Sequence, residues 1–216
     1  MTEQKLSRPH VWLPSTTSSN TLLLLHGSGA DEFDLLSLGK ALDPGASILS
    51  PRGLASQDGM VRFFEYSPDF SAKEETLIEA VQSLAQFLKL ASSQYGFDPT
   101  QVTAVGFSNG AHMAGALLTV HPELLRGIVA FGTTRAFLET EFKPNLADKF
   151  VFIANGEKDP YSPKQKTEDM VQEFQGWGAR VEVLMHHGGH QISPEHVEIL
   201  ARELALSQLS ANQLRI

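Results

Sequence analysis

Three side chains, far apart in the sequence, have types that suit one reaction. They are Ser108 in Gly106-Phe107-Ser108-Asn109-Gly110, Asp159 in "NGEKDP", and His190 in "HHGGHQ". A serine hydroxyl is a weak nucleophile at neutral pH and needs an adjacent base. Imidazole titrates in the right range to take its proton, and a carboxylate beside the ring fixes the tautomer. Glycines stand two residues before and two after Ser108, with the apolar run "VTAVGF" ending before it and the Ala-rich "AHMAGALL" starting after it. This G-x-S-x-G pattern predicts a strand-to-helix turn so tight that a side chain at either glycine would strike neighbouring backbone. Such a turn lifts the hydroxyl above a sheet and aims the Asn109 N–H, at a helix N-terminus, into the same space.

The elements that would position these residues are legible as a repeating pattern. Apolar runs of strand length recur at 21–25, 46–50, 102–107, 127–131, 150–154 and 181–185. Most lack polar alternation, as strands covered on both faces do. The polar patch "PSTTSSN" (14–20) reads as a loop between two short strands. Between the runs lie helical patterns. In one, Leu77, Val81, Leu84, Leu88 and Ala91 form a stripe, with Ser71 and Glu74 as a capping box. Others run from Lys164 to Gln175 and from Pro194 to about Ser207, the latter capped by Ser193. Alternating strands and helices predict a mostly parallel central sheet with helices on both faces, in one domain over 1–216. Ligands of such sheets bind outside the carboxyl ends of the strands. Asp159 follows the strand at 150–154 and His190 the strand at 181–185, so Ser, Asp and His fall in the order this chemistry uses.

Rival residues fit less well. His186 and His187 lie at the strand end, where structural or surface roles are expected. Glu157 comes early in its loop, and Asp169 sits on a helix facing solvent. Negative charge developing on a substrate oxygen needs two backbone N–H donors. Asn109 supplies one and Ser28, in "HGSGAD" after the first long strand, the other. His26 is expected to organise that loop.

Composition narrows the function classes. The 216 residues are 42% hydrophobic and 19% charged, an ordinary globular balance. A formal net charge of −8 argues against nucleic acid as a partner. With no cysteine there is no disulfide, thiolate nucleophile or Cys-ligated metal. No apolar run is long enough to span a bilayer, and the N-terminal residues lack a signal-peptide core, so a cytoplasmic protein is expected.

With these loops in place, the chain resembles the phospholipase/carboxylesterase family of α/β-hydrolases. The resemblance is carried by "LLLLHGSGADEFDLLSLGKAL", "ILSPRG", "GMVRFFEY", "YGFDPTQVTAVGFSNGAHMA", "GEKDPYSP" and "GGHQISPEH" over about residues 20–200. "SPRG", "RFF" and "GGHQ" look most like a bacterial branch of small carboxylesterases. The resemblance implies the α/β-hydrolase fold, Ser108, Asp159 and His190 as a catalytic triad, and Ser28 and Asn109 as backbone donors. It implies no metal and no organic cofactor. Many family members carry Gln where this chain has Asn109, a difference expected to alter the pocket and leave the backbone donor intact.

The segment "GMVRFFEYSPDF" (59–70) is expected to cover the site and offer Met60, Phe63 and Phe64 to an apolar substrate part, with core packing as the alternative. Arg62 is expected to pair with a surface acid, the alternative being an anionic substrate group. Arg52 is expected to be structural. No large lid domain fits the length. The expected function is a carboxylesterase for small to medium esters, working through an acyl-enzyme. The alternatives are an acyl-protein thioesterase or lysophospholipase and, in another class, a non-catalytic ligand-binding module. The expected partner is a small-molecule ester, and a homodimer is compatible with the sequence.

Overall fold

In the computed structural model, which describes residues 6–213, the apolar runs form one seven-stranded sheet. Its strands are β1 (His10–Leu13), β2 (Thr21–Leu25), β3 (Ser47–Pro51), β6 (Val102–Phe107), β7 (Gly127–Phe131), β8 (Phe150–Gly156) and β9 (Arg180–His186). A separate hairpin pairs β4 (Ala55–Gln57) with β5 (Met60–Arg62). The helices are α1 (Leu36–Leu42), α2 (Glu74–Tyr95), α3 (Asn109–Val120), α4 (Lys164–Gly176) and α5 (Pro194–Gln213). In space the sheet runs β1-β3-β2-β6-β7-β8-β9, with β1 antiparallel to β3 and the other neighbours parallel.

The missing polar alternation has a direct cause. Along β2, Leu22 and Leu24 pack with Leu42 of α1 and Leu200 and Leu204 of α5. Leu23 and Leu25 face the opposite way, among residues of α2 and α3. All four are buried, each contributing about 2 kcal/mol of transfer free energy, so a polar residue at any of the four is disfavoured. Helices therefore cover both faces, as expected. The two longest excursions from the sheet, residues 52–73 and 132–149, are loops and a hairpin; neither is a lid domain.

The α2 stripe is buried as its spacing requires, but the capping box does not form. The N-cap is Lys73, and Ser71 Oγ bonds Asp69 instead. The Glu74 carboxylate accepts from the N–H groups of Leu138, Glu139 and Thr140 and from the Thr140 hydroxyl. Four donors on a distant loop outweigh the one bond a cap would offer.

Candidate active site

The turn between β6 and α3 is built by collisions avoided. A Cβ on Gly110 would lie 1.9 Å from the Leu25 carbonyl oxygen, and one on Gly106 would lie 2.4 Å from that of Gly110. Only glycine allows the helix to start this close to β2. Ser108 sits at φ 54° and ψ −116°, a conformation strained for a residue with a Cβ. Its N–H donates to Phe131 O at 2.9 Å, which holds the turn against β7.

Beside the turn, Asp159 and His190 meet across the ends of β8 and β9. The two strands stay paired to Gly156 and His186, and Lys158 N–H then donates to Gly188 O. A Cβ on Gly156 would lie 2.2 Å from Gly189 O, so the Gly188-Gly189 loop needs a glycine beneath it. This brings His190 Nδ1–H to Asp159 Oδ2 at 2.7 Å. The same oxygen accepts from Ser162 Oγ at 2.6 Å, and Oδ1 accepts from Tyr161 N–H at 2.8 Å. Asp159 is only 2% exposed. Burial pushes its pKa up, but the bonds from Ser162, His190 and Tyr161 N–H prevail and hold it below the ordinary carboxylate value. The charged form is thus the one the site is built around. The His190 ring lies on Phe107, with centroids 4.9 Å apart, and against Gly132, where a Cβ would come within 2.8 Å of the ring.

Ser28, Ser108 and His190 line one cavity of about 320 Å³. Within 3.5 Å no hydrogen bond joins the Ser108 hydroxyl to His190 among the described residues. The Asn109 N–H is one of the first, unpaired amides of α3, and the Ser28 N–H has no protein acceptor among the described residues. His26 does organise its loop. Its Nε2 accepts from Gly53 N–H, which leaves Nδ1–H to donate to Gly27 O. Burial holds His26 below its ordinary pKa, consistent with this neutral tautomer. Arg52 is structural as expected, forked onto Glu32.

The rest of the wall differs from the sequence reading. Met60 lines the cavity, but Phe63 and Phe64 do not; both are core residues packed under the sheet-facing side of the segment. Asn109 explains why. Its fully buried side chain accepts from Phe63 N–H at 2.7 Å and donates to Phe64 O at 3.2 Å, drawing that backbone inward. Arg62 makes no ion pair among the described residues. Tyr66, Phe70, His112, Gly132 and Tyr161 also line the cavity and were not anticipated. Phe70 stacks edgewise on Tyr161, and Tyr161 on His190, so the rim is aromatic. His112, beneath the turn, accepts from Thr134 Oγ1 at Nε2 and donates from Nδ1 to Ser108 O at 3.1 Å. Burial lowers its pKa to about 4, so the ring is neutral at neutral pH. The hairpin had a sequence signal: Asp58 and Gly59, both at positive φ, are the Asp-Gly pair favoured in two-residue turns.

Residues 6–208 match the sequence pattern of the phospholipase/carboxylesterase family. A protein of Bacillus subtilis (strain 168) assigned as a hydrolase, MhqD, is 36% identical over 182 residues, which is 84% of this chain and 90% of that one. A carboxylesterase of Bacillus cereus has a similar solved structure, with a TM-score of 0.88 and 33% identity over 93% of this chain and 95% of that one. A carboxylesterase of Mesorhizobium loti is also similar, with a TM-score of 0.86 and 25% identity over 94% of this chain and 96% of that one. No helix among the described residues is long and apolar enough to cross a membrane.

Proposed function

Because this chain belongs to the phospholipase/carboxylesterase family of α/β-hydrolases, we propose that it is a serine esterase for small to medium carboxylic esters. Ser108 Oγ attacks the carbonyl carbon while His190 Nε2 takes the hydroxyl proton. Asp159 holds Nδ1–H and stabilises the imidazolium that forms. The Ser28 and Asn109 N–H groups receive the charge that develops on the carbonyl oxygen. The ester C–O bond then breaks, and His190 hands its proton to the departing alkoxide. Water adds to the acyl-Ser108 carbonyl as His190 removes its proton. Collapse releases the carboxylic acid, and the proton returns to Ser108. One ester and one water give one acid and one alcohol.

The observation that carries this reading is the 2.7 Å His190–Asp159 bond, which leaves the far edge of the imidazole to the cavity that Ser108 shares. Serine–base contacts are often long in free hydrolases and tighten when substrate binds. Steady-state hydrolysis of p-nitrophenyl butyrate by wild-type protein and Ser108→Ala tests it. Undiminished turnover by the variant overturns the assignment, and a fluorophosphonate that fails to label Ser108 favours a binding module instead.

The cavity volume favours a short or medium acyl group over a long chain. The exposed rim aromatics Phe70 and Tyr161 favour the other reading, an acyl-protein thioesterase or lysophospholipase. A rate that climbs with acyl length beyond about eight carbons, past the apolar span such a pocket buries, selects that alternative.

A further inference from the structure

Arg62 presents an unspent positive charge to the cavity. It is only 9% exposed, yet no carboxylate lies within ion-pairing distance among the described residues. Its Nε donates to Ser28 Oγ at 3.1 Å and its Nη1 to Gln57 Oε1. A guanidinium has five N–H donors, so roughly three remain for another acceptor. Its Cζ stands 5.5 Å from the centroid of the Tyr66 ring, whose face holds it in place. Tyr66 brings no negative charge, because burial pushes its phenol up to about 12. No Asp or Glu lines this cavity. A buried charge without a partner is costly, and in a chain of net charge −8 acids were plentiful. The residue lines the space that Ser108 lines, and on its other side a second cavity beside Gln57 and Asp58, with no ion pair formed to Asp58.

We propose that Arg62 binds a carboxylate carried by the substrate, so that the preferred esters are half-esters of short dicarboxylic acids. This rests on the serine-esterase reading and narrows its substrate class. Arg62 fixes the free carboxylate through charge-assisted hydrogen bonds, while the aromatic rim accepts the alcohol part. Because Ser28 Oγ takes the Nε bond, the guanidinium and the loop that carries the Ser28 amide are held in one register. The distance between the two ends of the substrate is thereby set.

The test compares two esters of equal length, monoethyl glutarate and ethyl pentanoate, by titrating released acid. Wild-type kcat/KM is expected to favour the half-ester by about 10-fold or more, with the preference shrinking as salt rises. Arg62→Gln is expected to lower that ratio by about 10- to 100-fold, and Arg62→Lys to restore part of it. A wild-type ratio of one or less overturns the proposal. So does an equal loss on both esters in Arg62→Gln, which would mean that the charge acts on the carbonyl oxygen alone. Calorimetric binding of monoethyl glutarate to Ser108→Ala, with and without Arg62→Gln, reads the same contact without turnover. Binding that Arg62→Gln leaves unchanged also overturns it. This separates the outcomes, since a failed serine assignment leaves the binding difference standing. Should Arg62→Gln not fold, the wild-type ratio and its salt dependence decide.

Discussion

The turn at Ser108 and the wall formed by residues 52–73 face each other across one cavity, and they are held by different means. In the turn, backbone meets backbone: carbonyls of Leu25 and Gly110 occupy the space where Cβ atoms would go. The wall has one such contact, at Gly53, where a Cβ would lie 2.3 Å from Arg62 O, but side chains do most of its holding, with Asn109, Gln57 and Ser28 each bonded to another part of it. Backbone packing leaves no freedom and preserves one arrangement. Side-chain bonds tolerate exchange, and they determine what shape of substrate fits. The contrast implies that rate resides on one side of the cavity and selectivity on the other.

Ser108→Ala should break the chemistry while sparing the wall, lowering kcat by about 10⁴-fold or more with little change in melting temperature. A smaller loss in p-nitrophenyl butyrate turnover would move the nucleophile elsewhere. Next in size is Gly110→Ala. Its methyl has nowhere to go against Leu25 O, so denaturant titration should show a loss of more than about 3 kcal/mol. If the loss is under 1 kcal/mol, close backbone packing is not what fixes the turn.

His112 sharpens the contrast through pH. Its folded pKa of about 4 lies below its ordinary 6.5, chiefly through burial. Between those values the unfolded chain binds a proton that the folded chain refuses, so stability falls as pH drops from about 6.5 to 4. The integrated change is about 3 kcal/mol, and His112→Asn should flatten that slope in denaturation measured across the window. Asn109→Ala strips the buried partners from Phe63 N–H and Phe64 O and should cost about 2 kcal/mol. It should also raise KM more than it lowers kcat, because the wall moves and the backbone donor stays. The smallest effect belongs to Gln57→Ala, about 1 kcal/mol, again with the change in KM exceeding that in kcat. A fall in kcat alone, for either of these last two, would erase the proposed division between rate and selectivity.

The same contrast explains what the sequence discloses. Gly106, Gly110 and Gly156 mark places where backbones touch, and those constraints are local enough to leave a readable spacing around Ser108 and before Asp159. The β2, β6, β7 and β8 runs show no polar alternation because both faces are covered, so the sheet was legible too. The wall was not. Phe63 and Phe64 look like pocket residues by type, yet an amide 46 residues away in sequence draws their backbone into the core. The partners of Arg62 are Ser28 and Gln57, and neither choice follows from spacing. The capping box at Ser71 and Glu74 failed for the same reason, since its competitor lay on another loop.

The Asn109 amide belongs to the helix that follows the serine, yet it clasps the hairpin loop by two bonds to its main chain, beside a side-chain bond to Tyr66. Those two main-chain bonds are indifferent to which side chains the loop bears. Evolution could therefore swap residues 59–70 wholesale, keeping one asparagine as the socket, and a laboratory graft of that stretch between relatives should carry substrate taste with it.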